Sequence, residues 1–189
     1  MFRIIPALFL LLSLVCSSCS FVVQSAYGLK NPKKLNRTEI SAIANNYQIP
    51  VENSFELDTA YFFEYLKSFD KKRYSQQINN HSHALQSLYF DKNGNLQIFY
   101  INCDAGGFPN LTWNKDGNFN SFPPKLQAPV DSLVNFQTLS RYLKPIATAQ
   151  LPPEISTDYT IVVFWNRFMG RQSKRFIETV QQNCAKAGK

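Results

Sequence analysis

Four residues near the C-terminal end, Arg167, Gly170, Arg171 and Lys174 in "NRFMGRQSK", have the types and spacing to hold an anion. Gly170 permits a tight turn, and the residues after it read as a helix. The free N–H groups of a helix start, joined by guanidinium and ammonium groups, suit a phosphate or carboxylate. A plain packing turn is the competing reading of the same stretch. Cys103 and Cys184 are the next candidates for chemistry. Two thiols in a mature domain leave two readings open, a disulfide or a pair of buried free thiols, because spacing alone does not bring their Cα atoms within bridging distance. His81 and His83 sit two apart at a helix-to-strand junction with no cysteine or carboxylate cluster beside them in the sequence, so both read as exposed loop residues and not as metal ligands. Gly106-Gly107 with Pro109 reads as a structural turn. The sequence contains no zinc spacing, no Gly-x-Ser-x-Gly elbow, no His-Glu-x-x-His and no phosphate-binding glycine loop. No catalytic residue, metal or cofactor is therefore assigned.

Several elements must position these residues. "TIVVFW", residues 160–165, is a continuous apolar run that predicts a central strand buried on both faces. After it, Met169, Ser173, Phe176, Ile177, Val180 and Cys184 recur at helical spacing, with Lys174 and Glu178 set for an i,i+4 pair on the other side. "HALQSLYFDKNGNLQIFYINC" reads as two strands around Asn93-Gly94 with a type I′ turn, and "LTWNKDGNFNSF" as a second hairpin around Asp116-Gly117. Helices are expected after the N-caps Asn36, Asp58 and Asp131, the first with Glu39 completing a capping box. A short polar helix is expected over "KKRYSQQINNHSH". The sum is an α+β domain: a mixed, largely antiparallel sheet of about five strands, made of two hairpins and the buried strand 159–165, packed by helices.

The strand–turn–helix of residues 158–180 resembles the segment of thioredoxin-like proteins in which a strand ending in Phe-Trp leads into Trp-Cys-Gly-Pro-Cys-Lys. Phe164-Trp165 match the strand end, Gly170 the glycine and Lys174 the lysine. Met169 replaces the nucleophilic cysteine, Arg171 the proline, and Gln172 or Ser173 the second cysteine. The resemblance implies a rearranged thioredoxin-like topology with a degenerate active site, and without a low-pKa thiol there it excludes thiol exchange at the turn. Convergence of two ordinary patterning rules is the other reading.

The first 19 residues carry Arg3, an apolar stretch and then Ser17-Ser18-Cys19, the layout of a signal peptide and too short for a comfortable membrane span. Ser17-Ser18-Cys19 resembles the lipobox of bacterial lipoproteins, which implies that Cys19 becomes the lipidated first residue, bearing acyl chains such as palmitate. Cleavage near "VVQSA" is the alternative. Residues 20–34 read as a tether, and 35–189 as one α+β domain. A formal net charge of +7 is scattered and not blocked, which in an exported chain argues against nucleic acid as partner. The expectation is a protein lipid-anchored in a bacterial envelope membrane, resembling the small lipoproteins found there. It would act as a non-catalytic binding or accessory module, with an envelope protein as partner; the redox-related and anion-binding readings stand as alternatives.

Overall fold

The computed structural model describes residues 28–101, 112–146 and 157–188; Cys19, Cys103 and the Gly106-Gly107 turn lie outside them. The fold is α+β, as expected, with five α-helices and two antiparallel sheets among the described residues. Helix α1 (Arg37–Asn46) starts where the sequence places it: Asn36 Oδ1 accepts from the Glu39 N–H, and the Glu39 carboxylate accepts from the Asn36 N–H. Strand β1 (Phe55–Leu57) leads through the N-cap Asp58 into α2 (Thr59–Lys67), and Asp70 caps α3 (Lys71–His81). The hairpin β2 (Gln86–Asp91) and β3 (Leu96–Ile101) follows. A short helix α4 (Phe136–Ser140), strand β4 (Leu143–Pro145), strand β5 (Tyr159–Phe164) and helix α5 (Arg171–Lys186) complete the order.

The strands divide into a β1–β4 pair and a three-stranded sheet in the order β3-β2-β5. Strand β2 is therefore the central one: five of its six residues are buried, while β5 is half-buried along its whole length and lies at an edge. This corrects the expectation that 159–165 is a central strand buried on both faces. Its side chains do divide between two cores. Val162 and Phe164 pack with Leu88, Phe90, Phe62 and Leu66 under α2 to α4, whereas Ile161, Val163 and Trp165 pack with Leu85, Tyr100, Phe176 and Val180 under α5. The continuous apolar run reports those two faces, and it is silent about whether a hydrogen-bonded neighbour covers the edge.

Two turns differ from expectation. At Asn93-Gly94 only Gly94 has a positive φ, so the connection is not a type I′ turn, which needs two. Asp91 supplies the constraint instead, its Oδ1 accepting from the N–H groups of Asn93 and Asn95. Around Asp116-Gly117 there is no second hairpin. Residues 112–122 form turns and a 3-10 helix (Asn118–Asn120), with Asn114 Oδ1 accepting from the Phe119 N–H. Trp113 and Phe119 are drawn into the core under α5, where Trp113 lies 4.1 Å from the Phe176 ring centroid, and packing overrides the pairing that the pattern suggested. The helix expected from Asp131 begins later, after the N-cap Asn135, whose Oδ1 accepts from the Thr138 N–H.

The described end of the expected tether is docked. The Lys30 N–H donates to the Phe168 carbonyl, Arg167 Nη1 donates to the Asn31 carbonyl at 2.6 Å, and Gly170 meets Gly28 so closely that a Cβ there would lie 2.2 Å from the Gly28 oxygen. Gly170 also has φ +45°, a conformation that side chains disfavour. Gly170→Ala is expected to cost about 1–3 kcal/mol and to open residues 28–31 to protease. Met169→Ala, at a position 6% exposed, should cost about 2–5 kcal/mol, and Lys174→Ala under about 0.5 kcal/mol. Denaturant midpoints measure all three, and an unshifted midpoint for Gly170→Ala would contradict the docking.

Candidate functional site

The turn that opens α5 does not gather its four basic and glycine residues into one anion site. Arg167 points along the docked segment and lines a cavity, Gly170 is buried against Gly28, Arg171 is exposed with Gly28 against its side chain, and Lys174 is spent on Glu178 at 3.9 Å. The turn is also internally saturated. The Met169 N–H donates to Asn166 Oδ1, the Gly170 N–H to the Arg167 carbonyl, the Gln172 N–H to the Met169 carbonyl, and Ser173 Oγ accepts from the Asn166 N–H while donating to its carbonyl. Those bonds fix the strand-to-helix corner without a ligand. Tyr47 reinforces it from α1, its hydroxyl donating to the Gly170 carbonyl at 3.0 Å and its ring meeting Trp165 edge-on at 5.4 Å.

Cys184 lies half-buried in the core under α5, and burial raises its thiol pKa, which keeps the sulfur protonated and weakly nucleophilic. Its expected partner, Cys103, lies outside the described residues.

The concave feature of the fold runs along the outer edge of β5. It is a cavity of about 920 Å³, within the range of roughly 300–1,000 Å³ typical of small-molecule sites. One wall is β5 itself from Thr160 to Phe164, continuing through Trp165 to Phe168, and the opposite wall carries Phe55 and Leu57 of β1. Leu35 and Ile40 close it from α1 and its approach, while Phe62, Phe63, Phe136 and Leu143 line its apolar interior. Lys33, Lys34 and Arg167 also border it, although Lys33 is paired with Glu39 at 2.5 Å. Among the described residues β5 has no strand on its outer side, and the short β1–β4 pair does not join the three-stranded sheet.

Two of the polar residues in the lining are almost fully buried. His81, read from sequence as exposed, is 1% exposed, and Gln86, the first residue of β2, is also 1% exposed. The His81 ring stacks on Phe99 at 4.7 Å, and its Nε2 lies 3.1 Å from Asp131 Oδ1. An ionised carboxylate only accepts, so Nε2 carries a proton and donates it to Asp131. Asp131 Oδ1 also accepts from the Leu133 N–H, so this carboxylate holds a turn and a histidine together. Gln86 is oriented just as tightly: its Nε2 donates to the carbonyls of His81 at 3.0 Å and His83 at 2.8 Å, and no flipped amide can make those bonds. Among the described residues His81 Nδ1 and Gln86 Oε1 are buried without a partner, each at a desolvation cost of about 1–3 kcal/mol.

The sequence held one signal for this pair. In "ALQSLYF" the inward period of two passes through Gln86, Leu88 and Phe90, and a glutamine at that position needs a reason. The His81–Asp131 contact spans 50 residues and leaves no local trace.

Among the described residues no group of three or more potential ligands is placed to hold a metal ion, and no helix is long and apolar enough to cross a membrane. Comparison with protein families, with curated proteins and with solved structures gave no match.

Asp131→Ala strands the His81 Nε2–H and the Leu133 N–H together, and should lower unfolding free energy by about 1–3 kcal/mol for each donor left unpaired. Asp131→Asn keeps an acceptor oxygen and should cost distinctly less. Urea unfolding distinguishes them, and an asparagine penalty equal to that of alanine would assign the role of Asp131 to its charge alone.

Proposed function

We propose that the chain is an exported protein, lipid-anchored through Cys19 in a bacterial envelope membrane, whose domain acts by binding an elongated apolar molecule in the cavity along β5. The observation that carries this reading is the cavity itself: about 920 Å³, lined mainly by aliphatic and aromatic side chains, at an edge of the three-stranded sheet that no described strand pairs. Its role is that of a binding or accessory module, with the membrane as one contact through the N-terminal lipid and an envelope protein as another; nucleic acid is no part of it. The redox-related reading draws nothing from the described thiol, since burial raises the Cys184 pKa and buried Met169 stands where the thioredoxin-like pattern has its nucleophile. The anion-binding reading of the 166–171 turn is weakened by the local bonds that already occupy the turn.

The anchor has a direct test. The protein is expected to partition into the detergent phase and to move to the aqueous phase as Cys19→Ala, because several acyl chains hold firmly where one binds marginally. A mature N-terminus starting near Ala26 without lipid would overturn it. The cavity has another. In the full chain carrying Cys19→Ala, titration with decanol should give a saturable shift of tryptophan emission that is lost in Trp165→Phe, since Trp165 lines the cavity and Trp113 lies in the core under α5. Thr160→Phe, which fills the cavity from β5, should weaken binding about tenfold with the melting temperature retained. Unsaturable or Trp165-independent responses would remove the cavity as a site.

A further inference from the structure

Resting on the cavity reading above, we infer that the elongated apolar molecule is an extended polypeptide segment, which enters the cavity as an added strand between β5 and β1. The directions of the backbone groups carry this. On β3 the Phe99 carbonyl accepts from the Ala128 N–H and the Ile101 N–H donates to Gln127 Oε1, so both residues turn their bonds away from β2. Bonded and non-bonded pairs alternate along an antiparallel ladder. With Leu88 opposite Phe99 and Gln86 opposite Ile101, the bonds of Leu88 and Gln86 therefore go to β5, onto their partners Val162 and Phe164. Ile161 and Val163 are left with N–H and C=O groups directed out from the sheet edge. Strand β1 has the same form. The Ser54 carbonyl accepts from the Ile146 N–H and the Asp58 N–H donates to the Tyr142 carbonyl, both toward β4, so Phe55 and Leu57 direct their groups away from β4. Among the described residues no hydrogen bond reaches these outward groups.

Both edges open into the one cavity, whose lining includes every residue from Thr160 to Trp165 and from Phe55 to Leu57. The side chains of β5 alternate between two cores, so a space that touches its residues in unbroken succession runs along the backbone edge. Both faces of that space are apolar: Phe62 and Phe63 belong to the core under α2 to α4, and Val180 to the core under α5. Alternating backbone donors and acceptors along an apolar slot are matched by another strand, whose own N–H and C=O groups alternate at the same repeat while successive side chains go to either face. An acyl chain would fill the same space and leave the backbone groups unmatched. Charge distinguishes one end. Arg167, two residues beyond Trp165, and Lys34 border the cavity, and neither is paired with a carboxylate among the described residues. The segment therefore carries apolar residues at consecutive positions and an acidic residue toward the Trp165 end of β5.

The test uses the full chain carrying Cys19→Ala and the capped heptapeptide Glu-Val-Ala-Val-Ala-Val-Glu, with amide exchange followed by NMR. In the free protein the N–H groups of Ile161 and Val163 should exchange faster than those of Val162 and Phe164. Saturation with the peptide should slow Ile161, Val163, Phe55 and Leu57 by at least about tenfold. A depsipeptide with the same side chains and its two central amides replaced by esters keeps the shape and loses two donors; by Trp165 emission it should bind at least about tenfold more weakly. Ile161→Pro removes an N–H that β2 does not use and should weaken the peptide by a similar factor while leaving decanol affinity unchanged. The ester comparison stands even if that variant fails to fold. Equal affinity of amide and ester would overturn the inference. Decanol binding without peptide binding would overturn it and leave the cavity reading intact, and absence of binding by either would overturn both. Protection of the four N–H groups in the free protein, together with a mass that rises with concentration, would make the occupant a second copy of this chain and overturn it as well. A lysine-ended peptide binding as tightly as the glutamate-ended one would overturn the acidic end.

Discussion

The pairing of β2 with strands on both sides is the constraint from which the rest of the fold follows. From Gln86 to Asp91 every residue of β2 has a Cα partner in β5, and all but Asp91 have one in β3. Its side chains are buried on both faces, so its backbone polar groups have no water to fall back on and must find their partners in those two neighbours. That requirement sets the order β3-β2-β5, holds the last strand antiparallel to a hairpin completed some 60 residues earlier in the chain, and gives each face its own layer of helices. The bulge between Tyr89 and Phe90 shifts the register near the hairpin end, where Asp91 collects the turn N–H groups.

Once β2 has its two partners, β5 becomes an edge, and the cavity is the geometric remainder. An exposed apolar edge is a hazard that proteins ordinarily blunt with charge, proline or a covering element. Here α1, residues 32–35 and the β1–β4 pair border the edge without pairing to it, so among the described residues the strand is sheltered and its outer side unpaired. The polar residues at the inner end of this space are oriented by bonds that face away from it. Asp131 fixes the histidine ring, and two carbonyls fix the glutamine amide.

Capping chemistry was legible in the sequence. Asn36 with Glu39, and Asp58, each mark helix starts through side chains that reach N–H groups three residues on, and interactions that short are written in the local sequence, although the cap expected at Asp131 falls to Asn135. The stripe from Met169 to Cys184 and the hairpin at Asn93-Gly94 were legible for the same reason. What failed involved distance. "LTWNKDGNFNSF" has the alternation of a hairpin, yet Trp113 and Phe119 gain more by entering the core with Phe176 than by facing each other across a ladder. "TIVVFW" has the composition of an inner strand, yet its neighbours depend on where β3 and β1 end up. His81 was misjudged because the two partners that bury it, Phe99 and Asp131, are 18 and 50 residues away.

The docking of residues 28–31 onto the α5 corner acquires a further meaning if Cys19 bears the lipid. Only residues 20–27 then separate the anchor from the first docked glycine, and a fully extended chain of that length reaches about 30 Å. Such a leash is short: it confines the domain to a shell about one bilayer thick above the headgroups and rules out wide excursions into the surrounding compartment. The same segment, a few residues on, borders the cavity at Lys33 and Lys34, so the leash meets the body beside the cavity. A molecule entering the site would then have its shortest route from the membrane surface itself, and the protein would sample what lies directly beneath it in preference to solutes in the bulk.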